Sequence, residues 1–211
     1  MSCYKITGGR PLSGSLAVHG AKNSVLPMLA ACLLVPGQCV LRNVPDLSDV
    51  SATIDILRLL GCRVDREGDA VLVDASVLNR SDVPEHLMRE MRSSVIFLGA
   101  LLARLGVAEL SYPGGCELGP RPIDLHLTAL RTLGAVILEE QGVLCCQNGG
   151  LQGREICLSI PSVGATENAM LAACGCPGLT TIIGAAREPE IGDLQGFLRA
   201  MGAQVEGAGT S

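Results

Sequence analysis

Apolar residues recur at three- and four-residue spacing in Ser24 to Leu34, Ser93 to Leu105 and Thr166 to Cys174, and each stretch predicts a helix with a broad apolar face. A short aliphatic run follows each one and predicts a strand: Gln38 to Arg42, Ala108 to Tyr112, and Leu179 to Ile183. A second helical pattern comes next, at Ser48 to Leu60, Asp124 to Leu133 and Ile191 to Met201, and each stops at a glycine suited to cap a helix C-terminus. From the first two of these glycines the pattern changes to hairpins: Arg63 to Asp65 with Ala70 to Asp74 around EGD, and Val136 to Glu139 with Val143 to Gln147 around EQG.

These elements are copies of one unit. LRLLGCRV at Leu57 to Val64 recurs as LRTLGAVI at Leu130 to Ile137 and as LRAMGAQV at Leu198 to Val205, with glycines at 61, 134 and 202, spacings of 73 and 68 residues. That period is longer than the repeat of small solenoids and implies three α/β units of βαβαββ type, about 22–90, 91–160 and 161–211. The third unit is truncated, because after Val205 the chain reads EGAGTS and stops before a returning strand. An unpaired sheet edge is expected there, and with it a fragment of a longer protein, open to self-association through that edge.

The 211 residues carry a net charge of -5, no Trp, two Tyr and two Phe, a poor composition for binding nucleic acid. An anionic ligand must then be held by a local cluster of cations. Ten cysteines without repeated CxxC pairing, mostly in apolar runs, read as reduced and buried thiols of a cytoplasmic protein. No apolar run approaches a membrane span, no signal region opens the chain, and Cys174 with Cys176 lacks the second pair a metal site needs.

The chemistry concentrates in Tyr112 to Leu125, YPGGCELGPRPIDL, whose glycines and prolines specify a loop. Cys116 there reads either as one more small apolar residue or as an exposed nucleophile or proton donor. Arg121, held between two prolines, suits fixed bidentate binding of a phosphate. Asp124 reads as a helix N-cap, a ligand group, or both. Lys22, next to Asn23, opens the first inner helix against the dipole preference, so it is either solvated or shares an anion with the free N–H groups there. Arg92 opens the second, either paired with Glu85 or Glu90 or aimed at the same end as Lys22. Ser162, Val163 and Gly164 open the third and present N–H groups suited to a diphosphate, although Ser is also a common cap. His19, His86 and His126 have no triad or metal spacing and are assigned no chemistry.

GGCELGPRPIDLH, with GGRPLSGSLAVHGAKNSVLPMLAA and MRSSVIFLGALLARLG before it and SVGATENAMLAA and AAREPEIGDLQGFLRAMGA after it, resembles the bacterial UDP-N-acetylglucosamine enolpyruvyl transferases over nearly the whole chain. The resemblance implies an inside-out α/β barrel, helices inside and sheets outside, and a polypeptide about twice this long with two such domains. Residues 1–21, including strands at Tyr4 to Ile6 and Ser15 to Val18, belong in that family to the second domain, and residues 22–211 to the first. It further implies transfer of the enolpyruvyl group of phosphoenolpyruvate to the 3-hydroxyl of UDP-N-acetylglucosamine, in the cytoplasm, at the start of peptidoglycan synthesis, without metal or organic cofactor. Cys116 would be the proton donor, able to form a covalent adduct and open to fosfomycin. Lys22, Asn23 and Arg121 would bind phosphoenolpyruvate. Arg92, Arg121, Pro122, Ile123, Asp124, Leu125, Ser162, Val163 and Gly164 would bind the sugar nucleotide. Leu118 and Pro120 depart from the family's usual residues without touching Cys116 or Arg121. The chain alone is expected to lack turnover, since further groups would lie in the second half. The shikimate 3-phosphate enzyme of the same fold, and a binding or assembly module without catalysis, are the alternative readings.

Overall fold

The computed structural model describes residues 3–112 and 123–210, with Arg92 described by its backbone alone. The first unit runs α1 (Lys22–Ala31), a 3-10 turn Cys32–Leu34, β1 (Gln38–Leu41), α2 (Ser48–Leu59), β2 (Arg63–Glu67) and β3 (Ala70–Asp74). β4 (Asp82–Val83) and α3 (Glu85–Glu90) lead to the second unit: a 3-10 turn Arg92–Ile96, α4 (Phe97–Leu105), β5 (Val107–Ser111), α5 (Asp124–Leu133), β6 (Ala135–Glu140) and β7 (Val143–Asn148). After β8 (Glu155–Cys157) the third unit has α6 (Val163–Ala173), β9 (Thr181–Ile183) and α7 (Pro189–Ala200).

The repeated glycines act alike in all three units. Gly61, Gly134 and Gly202 have φ of 108°, 109° and 101°, a left-handed conformation that costs any residue with a Cβ. Their N–H groups donate to the carbonyls of Arg58, Arg131 and Arg199, three residues back. Those same arginines reach forward and donate to the carbonyls of Val64, Ile137 and Val205. The motif LRxxGxx followed by Val or Ile is thus a helix stop whose Arg ties down the chain that leaves it.

The apolar helices α1, α4 and α6 form the interior. α4 packs on α6, α1 packs on α2 and α7, and Leu29, Leu33, Phe97, Leu98, Leu101, Leu102, Ala169 and Leu171 are fully buried. Full burial of one such large side chain is worth roughly 1.5–3 kcal/mol. Glycine sets the α4–α6 distance: a Cβ on Gly99 of α4 would lie 2.3 Å from the carbonyl oxygen of Asn168 on α6. The sheets lie outside, with outward Val40, Val136 and Leu138 half exposed.

Sheet order is β1-β3-β2 in the first unit, β4-β5-β7-β6 in the second and β8-β9 in the third. The hairpin strands are antiparallel, whereas β4 pairs parallel with β5 and β8 with β9. β4, β8 and α3 were not predicted from the sequence, because two or three residues of strand carry no legible period. In the third unit residues 203–208 form no strand, and an open groove of about 950 Å³ is lined by them and by Thr181 and Ile182 of β9.

Residues 3–21 have neither helix nor strand, and Tyr4, Ile6, Leu12, Leu16 and Val18 lie exposed with no sheet to join. One expectation is corrected. The cysteines are not uniformly buried. Cys32, Cys62 and Cys146 are, but Cys3, Cys157 and Cys174 are exposed, and the nine described cysteines are all free thiols. Among the described residues no helix is long and apolar enough to cross a membrane.

Candidate active site

The N-terminal ends of α1, α6 and the turn before α4 carry the candidate residues, and α2 and α7 add charged groups beside them. α1 begins without a side-chain cap, after a glycine that fits tightly: a Cβ on Gly20 would lie 2.0 Å from the carbonyl oxygen of Asn43. The chain therefore enters α1 pressed against the loop between β1 and α2. Lys22 Nζ donates to Asp49 Oδ2 at 2.8 Å, in the first turn of α2. One hydrogen of the Lys22 ammonium group is thus given to Asp49, while the side chain stays 45% exposed. Asn23 Nδ2 donates to Glu190 Oε1 at 3.3 Å, and Ser24 Oγ donates to Asp193 Oδ2 at 2.6 Å, both on α7.

On α6, Ser162 is the N-cap and its Oγ accepts from the N–H of Ala165 at 3.4 Å. Thr166 Oγ1 donates back to the Ser162 carbonyl at 2.8 Å, which leaves the first turn, Val163 and Gly164, presenting backbone N–H groups at a half-exposed position. Gly164 lies against a histidine: a Cβ there would be 3.0 Å from Cε1 of His126. In α5 the N-cap position is Ile123, not Asp124. Asp124 is instead the first helical residue, where its charge complements the dipole. Leu125 is partly buried against the core. Arg92 begins a 3-10 turn rather than an α-helix, and Glu85, one partner suggested for it, forms an ion pair with Arg89. Cys116, Arg121 and Pro122 lie outside the described residues.

Glu167 and Glu190 belong to this region, although sequence reasoning passed over both. Glu167 is 5% exposed, and burial, with the charge of Glu190 second, pushes its carboxyl up to about 8. The available signal was a lone Glu in an otherwise apolar helix, ATENAMLAA. The thiols separate by environment: burial lifts Cys62 to about 11 and Cys146 to about 12, while the hydrogen bond with Cys32 pulls Cys39 down to about 7. Among the described residues no group of three His, Cys, Asp or Glu side chains could hold a metal.

The starts of α1 and of the Arg92–Ile96 turn have no side-chain cap, and α6 starts on a Ser-x-Gly turn; comparison with known proteins identifies the family of the chain. The family model described as EPSP synthase (3-phosphoshikimate 1-carboxyvinyltransferase) matches residues 6–211. The chain belongs to the EPSP synthase family. Within that family it is 52% identical, over its whole length, to UDP-N-acetylglucosamine 1-carboxyvinyltransferase 2 of Caldanaerobacter subterraneus, covering 51% of that protein. It is 50% identical over 98% of its length to UDP-N-acetylglucosamine 1-carboxyvinyltransferase 1 of Symbiobacterium thermophilum, covering 48% of it. This EPSP synthase family chain therefore spans about half the length of the curated relatives it matches. Among solved structures, the enolpyruvyl transferase NikO of Streptomyces tendae aligns over 94% of the chain and 47% of its own length, with a TM-score of 0.81 and 27% identity. EPSP synthase of Acinetobacter baumannii, at 19% identity and a TM-score of 0.71, shares the fold, over 92% of this chain and 45% of its own.

Proposed function

We propose that the chain is one half of a UDP-N-acetylglucosamine 1-carboxyvinyltransferase, which transfers the enolpyruvyl group of phosphoenolpyruvate to the 3-hydroxyl of the sugar nucleotide and releases phosphate. The observation that carries this reading is about 50% identity along the whole chain to enzymes of that name. In the addition step the sugar 3-hydroxyl gives its proton to an acidic group of the second half, its oxygen bonds to C2 of phosphoenolpyruvate, and Cys116 delivers a proton to C3. In the elimination step phosphate leaves C2 and a proton leaves C3, which restores the vinyl group. Lys22, Asn23 and Arg121 hold the phosphate of phosphoenolpyruvate. Arg92, Pro122, Ile123, Asp124 and Leu125, with Arg121, hold the uridine side of the sugar nucleotide. Ser162, Val163 and Gly164 seat its diphosphate. Charge held by fixed cations and helix N–H groups is the type of stabilisation that dominates such catalysis.

Lys22 donates to Asp49, and the acceptor for its ammonium group is exchanged when phosphate binds. Residues 1–21 would join the second domain, and residues after 211 would supply the strand that fills the groove beside β9. The enzyme works in the cytoplasm at the start of peptidoglycan synthesis, and the chain by itself binds its substrates weakly and turns nothing over. Phosphate release is measured from the chain alone and from the chain mixed with the C-terminal half of the Caldanaerobacter relative. Release only in the mixture, dependent on UDP-N-acetylglucosamine, supports the reading. Release with shikimate 3-phosphate instead would replace it with the sister reaction.

A further inference from the structure

The buried polar network between α4, α5 and α6 has no role in the reaction as described above. Asn168 is 0% exposed, and its side-chain amide makes three contacts to neighbouring elements. Its Oδ1 accepts the N–H of Gly99 at 2.7 Å, so its Nδ2 donates one hydrogen to the carbonyl of Val95 at 3.1 Å. The second hydrogen points at Nδ1 of His126, 3.1 Å away. Because Gly99 N–H can only donate and the Val95 carbonyl can only accept, the amide has one orientation. His126 Nδ1 is therefore an acceptor, and the neutral ring carries its proton on Nε2. Two glycines make room for the network. A Cβ on Gly99 would lie 2.4 Å from Asn168 Oδ1, and one on Gly164 would lie 3.2 Å from His126 Nε2.

Through these contacts Asn168 joins the 3-10 turn that starts at Arg92 to the first turn of α4, whose Gly99 N–H would otherwise be buried unpaired. Through His126 it also fixes the start of α5, two residues after Asp124, against the first turn of α6. We infer that Asn168 and His126 are positioning residues that set the spacing of the Arg92, Asp124–Leu125 and Ser162–Gly164 segments, and with it recognition of a ligand carrying both a diphosphate and a nucleoside. This rests on the proposed function for the ligand but not for the network itself.

The test combines side-chain 15N NMR of the histidines with UDP-N-acetylglucosamine titration, on the chain mixed with the C-terminal half of the Caldanaerobacter relative. The parent is expected to show His126 as the Nε2–H tautomer. Asn168→Asp, which cannot donate, is expected to reverse the tautomer or charge the ring, shift the amide signals of Ser162 to Gly164, and weaken binding roughly tenfold, the scale of one misplaced polar contact. His126→Asn, whose Oδ1 replaces Nδ1 as acceptor, is expected to bind within about threefold of the parent, and His126→Leu to lose as much as Asn168→Asp. An Nδ1–H tautomer in the parent would overturn the inference, as would equal binding by the Asn and Leu variants of His126 or unshifted amides in Asn168→Asp. If the parent mixture binds no sugar nucleotide, the functional reading fails, and the tautomer and amide signals decide the positioning inference alone.

Discussion

Replacing Glu167 by Gln should abolish a pH dependence of stability. The carboxyl is 5% exposed and accepts no hydrogen bond among the described residues, and its pKa rises from the ordinary 4.5 to about 8. Each unit of displacement is worth 1.36 kcal/mol, so the ionised carboxylate destabilises the fold by about 5 kcal/mol relative to the acid. Because the folded value is the higher one, the folded chain holds this proton where the unfolded chain has released it. Stability is full below pH 4.5 and falls until about pH 8, then stays level. Asp74, Asp82 and Glu139 are lowered by hydrogen bonds and titrate below the ordinary carboxylate range, where their contribution is lost as pH falls, so they do not overlap this window. Urea denaturation of the parent and of Glu167→Gln, at intervals from pH 5 to pH 9, gives the difference directly. The parent curve should fall by several kcal/mol more than that of the variant. The buried amide of Gln adds a cost of about 1–3 kcal/mol that does not vary with pH. Parallel curves would refute the reasoning, because they would mean that Glu167 is ionised throughout at no cost.

Glycine replacements should rank by what a Cβ meets. Gly134→Ala, with its Cβ 2.7 Å from the Gly150 carbonyl oxygen, should be more destabilising than Gly202→Ala, whose Cβ meets nothing within 4 Å and bears only the left-handed strain of about 1–2 kcal/mol; thermal melts give the order. Asp49→Asn should cost less than about 1 kcal/mol, since the ion pair with Lys22 is exposed, yet it should strengthen binding of inorganic phosphate measured by calorimetry. Iodoacetamide labelling near pH 7.5, read by peptide mapping, should modify Cys39 well before Cys62 and Cys146, because of these three only the Cys39 thiol is lowered, to about 7.

The repeat was legible because its signals are long or conformational. Ten-residue apolar faces define α1, α4 and α6, and a left-handed glycine ends α2, α5 and α7 in the same way each time. Boundaries moved where local chemistry was ambiguous: Arg92–Ile96 carries helical periodicity but winds as a 3-10 turn, because Asn168, seventy residues on, takes the Val95 carbonyl and the Gly99 N–H. Pairings that cross the chain left no mark in the local pattern. Asp49 beside Lys22, Glu190 beside Asn23 and Asp193 beside Ser24 depend on how α2 and α7 dock on α1. Residues 3–21 are a different case: the strands that the family resemblance implies there belong to a second domain, and a strand needs a neighbour to pair with.

The most direct measurement is intact mass with peptide mapping after fosfomycin treatment, with and without UDP-N-acetylglucosamine, on the chain alone and on the chain mixed with the C-terminal half of the Caldanaerobacter relative. A single adduct on Cys116 in the mixture, increased by the sugar nucleotide and not found on Cys39, is the expected result. A folded mixture that carries no Cys116 adduct under any condition would contradict the assignment.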